Sequence, residues 1–126
     1  MIPINDYQKV LFDKLKETEY KVFDEVPLDE ALPLIILGEY TLSSGSVKNE
    51  CYIFNQDIEI YSEYEGKKEI NTMISVAIEK LESLVNESIT DTFFINDINI
   101  DSCTVRRSEE NLYIASIKIK IEIEVI

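Results

Sequence analysis

The chain has 126 residues, and its 12 basic and 25 acidic residues give a net charge of −13. A chain of this length forms one domain, residues 1–126, around one core. The acidic excess argues against specific nucleic-acid binding, because contact with phosphate needs a basic patch, and no apolar run approaches the roughly 20 residues that cross a bilayer.

The first predicted element is an amphipathic helix over residues 4–17. Its apolar residues recur at the spacing of a helix that buries one face: Ile4, Tyr7, Leu11 and Leu15. A short stretch of alternating apolar and polar residues, 20–23, leads from this helix into an acidic turn at 24–30. We expect this turn to be a solvated loop, because charged turns usually face solvent.

Two strands are predicted next, over residues 33–42 and 50–62. Pro33 suits the first residue of a strand, and the apolar run at 34–37 is typical of a buried one. The connection at 43–49 contains three serines and one glycine and is too long for a tight hairpin turn. We expect it to be flexible in the free subunit and ordered by a partner.

The longest predicted helix covers residues 67–86 and has one wide apolar face. Two more strands are predicted over 93–106 and 112–125. The last strand alternates between aliphatic and polar residues, as expected of a strand that covers a core on one side and meets water or a partner on the other. This order of elements predicts an α+β fold, with an antiparallel or mixed sheet of four to five strands and two helices packed on one face.

The sequence offers little for catalysis. Histidine is absent, which removes the commonest general base and most zinc sites. The stretch 97–101 partly resembles a calcium loop, but Ser102 and Ser108 stand where that loop needs glycine and glutamate, so a strand explains it better. Residues 1–6 lack the basic and apolar regions of a signal peptide. We therefore expect cytoplasmic synthesis, and reduced thiols at Cys51 and Cys103.

Two segments carry a resemblance to a known family. Residues 23–39 contain Phe-Asp-Glu-Val-Pro, a spacer, Ala-Leu-Pro, an apolar run and Leu-Gly-Glu. In residues 60–69 a strand ends in Ser, an aromatic residue and Gly, and Lys-Lys-Glu starts the long helix. The order of these features resembles that of the tail completion proteins of tailed bacteriophages, which are also called tail terminators or head–tail joining proteins.

The resemblance implies a structural phage or prophage protein that caps the tail tube as a ring and forms the tail side of the head–tail joint. The ring is implied to be a hexamer that matches a six-fold tube, with the tube protein and a head–tail connector or stopper as partners. The implied location is the bacterial host cytoplasm during assembly and then the virion tail. No enzyme activity, cofactor or metal is implied. The charge leaves an alternative open, a small acidic binding module such as a nucleic-acid mimic or a regulator of a host protein.

Candidate contact residues lie in the acidic turn, in the 43–49 connection and on the polar face of the last strand. Two tyrosines that flank the turn into the long helix are further candidates, because Tyr is favoured at interfaces, although a half-buried core edge explains them equally well. The selected residues are Asp24, Glu25, Asp29, Glu30, Ser43, Ser44, Ser46, Lys48, Tyr61, Tyr64, Lys118 and Lys120.

Overall fold

The structure, a computed structural model, describes residues 1–45 and 50–126. Within these ranges the chain forms two helices and five strands. The helices are α1 (Ile4–Leu15) and α2 (Lys68–Glu82). The strands are β1 (Lys21–Phe23), β2 (Leu34–Ser44), β3 (Cys51–Ser62), β4 (Phe93–Arg107) and β5 (Tyr113–Val125).

The strands form one mixed sheet in the order β1-β2-β3-β5-β4. β1 runs parallel to β2, and the other neighbours are antiparallel. The predicted α+β class with a mixed sheet is therefore confirmed. Strand β1 was not predicted as a strand, because three residues are too few to show an alternation; it pairs only with Leu34–Ile36 of β2.

Both helices end earlier than predicted, and each end has a local cause. After α1, the Thr18 hydroxyl donates to the Leu15 carbonyl at 2.7 Å and closes the last turn. After α2, Asn86 adopts a positive φ of 73°, and its N–H donates to the Ile95 carbonyl at 2.8 Å. The predicted helix end at 83–86 was wrong because the chain there turns to pair with the start of β4.

The core lies between the helices and one face of the sheet, which we call the helix face. Cross-strand partners lie on the same face of a sheet. The helix face therefore carries the isoleucines of β5 and the residues of β3 and β4 that are paired with them. Each isoleucine from Ile117 to Ile123 is buried, as the alternation of the last strand predicts. The helices contribute the other half of the core: Tyr7, Leu11, Leu15, Ile70, Met73, Ala77 and Leu81.

A bulge in β2 interrupts the sheet between Leu37 and Tyr40. A Cβ atom at Gly38 would lie 3.1 Å from the Asp57 carbonyl oxygen, which is tighter than ordinary contact. Glycine therefore lets β2 and β3 stay close across the bulge. Before the bulge, residues 34–37 are buried on both faces of the sheet; after it, most of the strand is exposed.

A buried glutamine holds this bulge in place. The Gln56 side chain is 1% exposed, and its Nε2 donates to the carbonyls of Gly38 at 3.0 Å and Glu39 at 3.3 Å. Its Oε1 accepts a 3.0 Å hydrogen bond from the Tyr7 hydroxyl. The Tyr7 ring stacks on Phe54 with centroids 3.6 Å apart, so one amide ties α1 to the irregular part of β2.

Replacing Gln56 with leucine should lower the free energy of unfolding by at least about 3 kcal/mol, because the Tyr7 hydroxyl and the two bulge carbonyls would lose their partner, at roughly 1–3 kcal/mol for each buried group. Tyr7→Phe should cost less, about 1–2 kcal/mol, because it removes one hydrogen bond. Urea unfolding followed by circular dichroism measures both. The control, Gln8→Leu on the half-buried side of α1, should change stability by less than about 0.5 kcal/mol. Equal stability of the Gln56 and Gln8 variants would contradict the role of Gln56.

Candidate interaction surfaces

The sheet face opposite the helices, which we call the open face, carries the polar residues of β3 and β5. The cross-strand partners Asp57 and Lys118 lie on it, and their side chains form an ion pair at 3.0 Å. Lys120 pairs in register with Asn55 and Asn99 and is half-buried. Both predicted lysines are thus on the polar face of the last strand, with Lys118 already paired inside the subunit.

An acidic groove of about 650 Å³ runs along the open face beside the β2 bulge. Five carboxylates, from the loop after β1 and from β2 and β3, line it: Asp24, Glu25, Glu39, Asp57 and Glu59. One of these carboxylates, Asp57, is paired with Lys118 at 3.0 Å. The groove therefore has an excess of negative charge and would attract a cationic group from outside the subunit.

The predicted acidic turn divides into two parts. Asp24 and Glu25 line the acidic groove. Glu30 instead accepts from the Lys21 ammonium group at 3.0 Å and ties the turn to β1, and Asp29 adopts a left-handed φ of 57°. The first half of the turn belongs to the candidate surface, and the second half shapes the crossover between the parallel strands β1 and β2.

The two candidate tyrosines lie in different surroundings. Tyr61 is half-buried on β3, where its hydroxyl donates to Glu59 Oε2 at 2.9 Å. Burial raises the pKa of this hydroxyl and the bond to Glu59 adds to the rise, while Arg106 acts in the opposite direction. Tyr64 is 51% exposed and lines a cleft with Arg107 at the turn before α2. The structure therefore does not bring the two rings into one site.

The remaining candidates belong to the end of the β2–β3 hairpin. Ser43 and Ser44 are exposed at the end of β2. Ser46 and Lys48 lie outside the described residues. The flexibility expected of the 43–49 connection concerns mainly residues 46–49, and it stays a prediction.

Two strand edges lack a neighbour within the described part of the chain. β1 covers β2 only at Leu34–Ile36, so the outer edge of β2 is open from the bulge to Ser44. Residues 86–89 cover the start of β4 by bonding to Phe93 and Ile95, which leaves the outer edge open over 97–107. Neither edge was predicted from the sequence, because alternation predicts strands but not their order in the sheet. Unpaired edges are templates for another strand.

Arg106 and Arg107 lie at the end of the open β4 edge and take part in no ion pair among residues 1–45 and 50–126. Arg107 donates to the Asn111 side-chain oxygen at 3.1 Å and stacks 5.7 Å from the centre of the Tyr113 ring. Arg106 is exposed and pairs in register with Ile114, on the open face. It is a cation without a carboxylate partner in that part of the chain.

The described ranges contain neither a cluster of metal-binding side chains nor a membrane-spanning helix. No group of three or more metal-binding side chains occurs there, and no helix there is long and apolar enough to span a bilayer. The calcium-like stretch 97–101 lies in strand β4, as expected. Its Asp97 carboxylate accepts from the Asn99 side-chain amide at 2.7 Å.

Cys51 and Cys103 form no disulfide within the described residues, and their surroundings differ. Cys51 is buried and donates to Glu122 at 2.9 Å. Cys103 is exposed on β4, although partial desolvation raises its pKa above the ordinary value.

One thiol, Cys103, should therefore react with a disulfide reagent in the native protein, and both should react after unfolding. Because its pKa is raised, the thiolate fraction at pH 8 falls below that of a free cysteine, and the reaction rate should keep rising as pH passes the ordinary thiol pKa. Absorbance after reagent addition measures this, with Cys103→Ser as the control that removes the native signal. A Cys51–Cys103 disulfide in fresh protein would contradict the prediction.

Comparison with known proteins gives a likeness in fold. No protein-family model matches the chain, and no curated protein sequence matches it. Among solved structures, a chain from the virion of a native gene transfer agent particle superposes with a TM-score of 0.70, covering 93% of each chain at 15% sequence identity. At this identity the likeness shows a shared fold over nearly the whole chain.

Proposed function

We propose that this chain is a structural protein of a tailed phage, a prophage or a phage-like particle, where it caps the tail tube as a ring and forms the tail side of the head–tail joint. The observation that carries the proposal is the likeness in fold, over 93% of both chains, to a chain from a gene transfer agent virion. The resemblance of residues 23–39 and 60–69 to tail completion proteins supports the same class of particle.

The surfaces described above suit a protein that acts by assembly. A closed ring needs two unlike surfaces on each subunit, because every interface joins one surface to the other. Two unlike strand edges, on β2 and β4, lie on opposite sides of the sheet. In this proposal the ring has six subunits, contacts the tube protein on one side and a connector or stopper on the other, and needs neither a catalytic residue nor a cofactor.

The location follows from the role. Subunits would accumulate in the bacterial host cytoplasm and enter the virion tail when the tube is complete. The acidic charge would also suit a ring through which DNA passes. Negative charge on surfaces near a DNA channel repels the phosphates and keeps DNA from adhering.

A second candidate function is an acidic binding module that acts on a basic host protein. The acidic groove favours it, because five carboxylates on one face would suit a cationic partner. The two candidates differ in assembly, since a module works as a monomer or a two-fold dimer, whereas a cap forms rings on tubes.

The isolated protein should be mainly monomeric at low salt and micromolar concentration, and it should form rings as salt rises. Each subunit carries −13, and bringing subunits together costs long-range repulsion, which salt screens over about 10 Å at 0.1 M. Light scattering across a salt series measures the mass. A two-fold dimer at every salt concentration would contradict the ring and favour the binding module.

Tail tubes of the same particle should bind the protein even at low salt, because a six-fold tube end acts as a template. Electron microscopy of tubes with and without the protein should show a ring of density at one tube end only, and growth of capped tubes should stop. Tubes that keep growing with bare ends in a large excess of the protein would contradict the capping role. A tube-free sample at the same salt is the control.

A further inference from the structure

We infer that neighbouring subunits join by strand addition, with the open edge of β4 in one subunit pairing antiparallel with the open edge of β2 in the next. This inference rests on the proposed ring and specifies the interface that builds it. The occupant of each edge is thus a second copy of this chain. The direction of the backbone groups and the sheet face of each side chain, which go together in an antiparallel pair, restrict the pairing to alternate registers. Charge then selects one of these registers.

The backbone groups of β4 that point outward can be assigned from the hydrogen bonds at the two ends of the strand. The Ile126 N–H donates to the Thr92 carbonyl and the Ser108 N–H donates to the Leu112 carbonyl, so even-numbered β5 residues bond to β4. In an antiparallel pair, bonding and non-bonding positions alternate. The β4 residues opposite odd-numbered β5 residues therefore point their N–H and C=O groups away from β5, and these include Cys103 and Val105.

The same argument assigns the β2 edge. The Gly45 N–H donates to the Cys51 carbonyl at 2.8 Å, so position 45 bonds inward to β3. Alternation then directs the groups of Thr41 and Ser43 inward and those of Tyr40 and Leu42 outward. Nothing else in the described residues bonds to the outward groups of these two residues.

Antiparallel registers that differ by two residues all match outward groups to outward groups, and we select the one that also sets Arg106 opposite Glu39. It sets Val105 opposite Tyr40 and Cys103 opposite Leu42, so that outward groups meet outward groups. All four side chains lie on the helix face, since their cross-strand partners there are Ala115, Gln56, Ile117 and Phe54. Tyr40 is 38% exposed, so this pairing would cover an aromatic ring with aliphatic and thiol groups.

The same register sets Arg106 opposite Glu39 and Thr104 opposite Thr41 on the open face. Arg106 has no ion-pair partner within residues 1–45 and 50–126, and Glu39 lines the acidic groove with Asp24 and Glu25. Placing this cation beside the groove offsets part of the repulsion between acidic subunits. Electrostatic complementarity of this kind favours the correct pairing over others.

Pairing of β4 with β4 across a two-fold axis is the competing arrangement. It would use one edge twice, leave the outer edge of β2 open and bring no cation to the acidic groove. A head-to-tail pairing uses both edges, and a head-to-tail interface can close into a ring.

A charge-exchange experiment separates the two arrangements. Arg106→Glu alone and Glu39→Lys alone should each reduce the ring population at least tenfold, because each places like charges opposite one another. An equimolar mixture should recover rings, with the two variants alternating around them. Lys67→Glu, an exposed charge reversal before α2, is the control and should leave assembly unchanged. Normal assembly of the Glu39 variant, or no recovery in the mixture, would overturn the inference.

Cross-linking tests the register and separates this inference from the proposed function. Residues opposite one another in antiparallel strands have Cα atoms about 4.5–5.5 Å apart, within the range of a disulfide. With Cys103→Ser, the pair Thr41→Cys and Thr104→Cys should give, on diamide oxidation, a ladder of covalent oligomers that ends at the ring. Thr104→Cys alone should remain monomeric under denaturing conditions; covalent dimers from this variant would support the two-fold arrangement instead.

The outcomes are distinguishable. If the double-cysteine protein caps tubes but shows no ladder, the strand-addition interface is wrong and the capping function stands. If a ladder forms but the rings ignore tubes, the interface stands and the capping function is wrong.

Discussion

The buried amide of Gln56 is the contact on which the arrangement of the surfaces depends. Its nitrogen holds the two bulge carbonyls of β2, and its oxygen holds the Tyr7 hydroxyl. Burial raises the pKa of that hydroxyl well above its ordinary value, so it remains a donor at any physiological pH. A buried polar network is stabilising only when each member has a partner, and the described side chains contain no buried polar atom without one.

The bulge lets one strand serve two purposes. Its first half, residues 34–37, is buried, and Leu34–Ile36 pair with β1. Its second half is mostly exposed and has an open outer edge within the described residues, and Glu39 lines the acidic groove. Bulges re-aim side chains and alter strand twist. Here the bulge sets which β2 residues lie on the helix face and which lie on the open face, and the proposed subunit interface needs both sets.

Much of the fold could be predicted from the sequence, because the strong signals are local. The isoleucine alternation of β5 and the apolar face of α2 identify their elements without tertiary information. Strand β1 could not be found, since its pairing with β2 is a tertiary contact between short segments. The early end of α2 was missed because Asn86 bonds to Ile95, a partner that the helical periodicity does not reveal.

Some residues of the candidate surfaces could likewise be selected from the sequence, and others could not. Asp24, Glu25 and Lys118 were selected as exposed charges, and the structure groups them around the acidic groove. Arg106 and Glu39 were not selected, although the proposed interface depends on both. Their importance comes from the order of strands in the sheet, which leaves β4 and the end of β2 unpaired, and a single sequence does not encode that order in any local pattern.

Residue-resolved hydrogen exchange of the free subunit and of the assembled ring tests the central claim most directly. Strand addition between β4 and β2 predicts that the outward amides of Tyr40, Leu42, Cys103 and Val105 gain strong protection on assembly. The amides of Thr41 and Thr104, already directed into the sheet, should change little. Unchanged exchange at the four outward amides in a ring of confirmed mass, or protection confined to β4, would contradict the account.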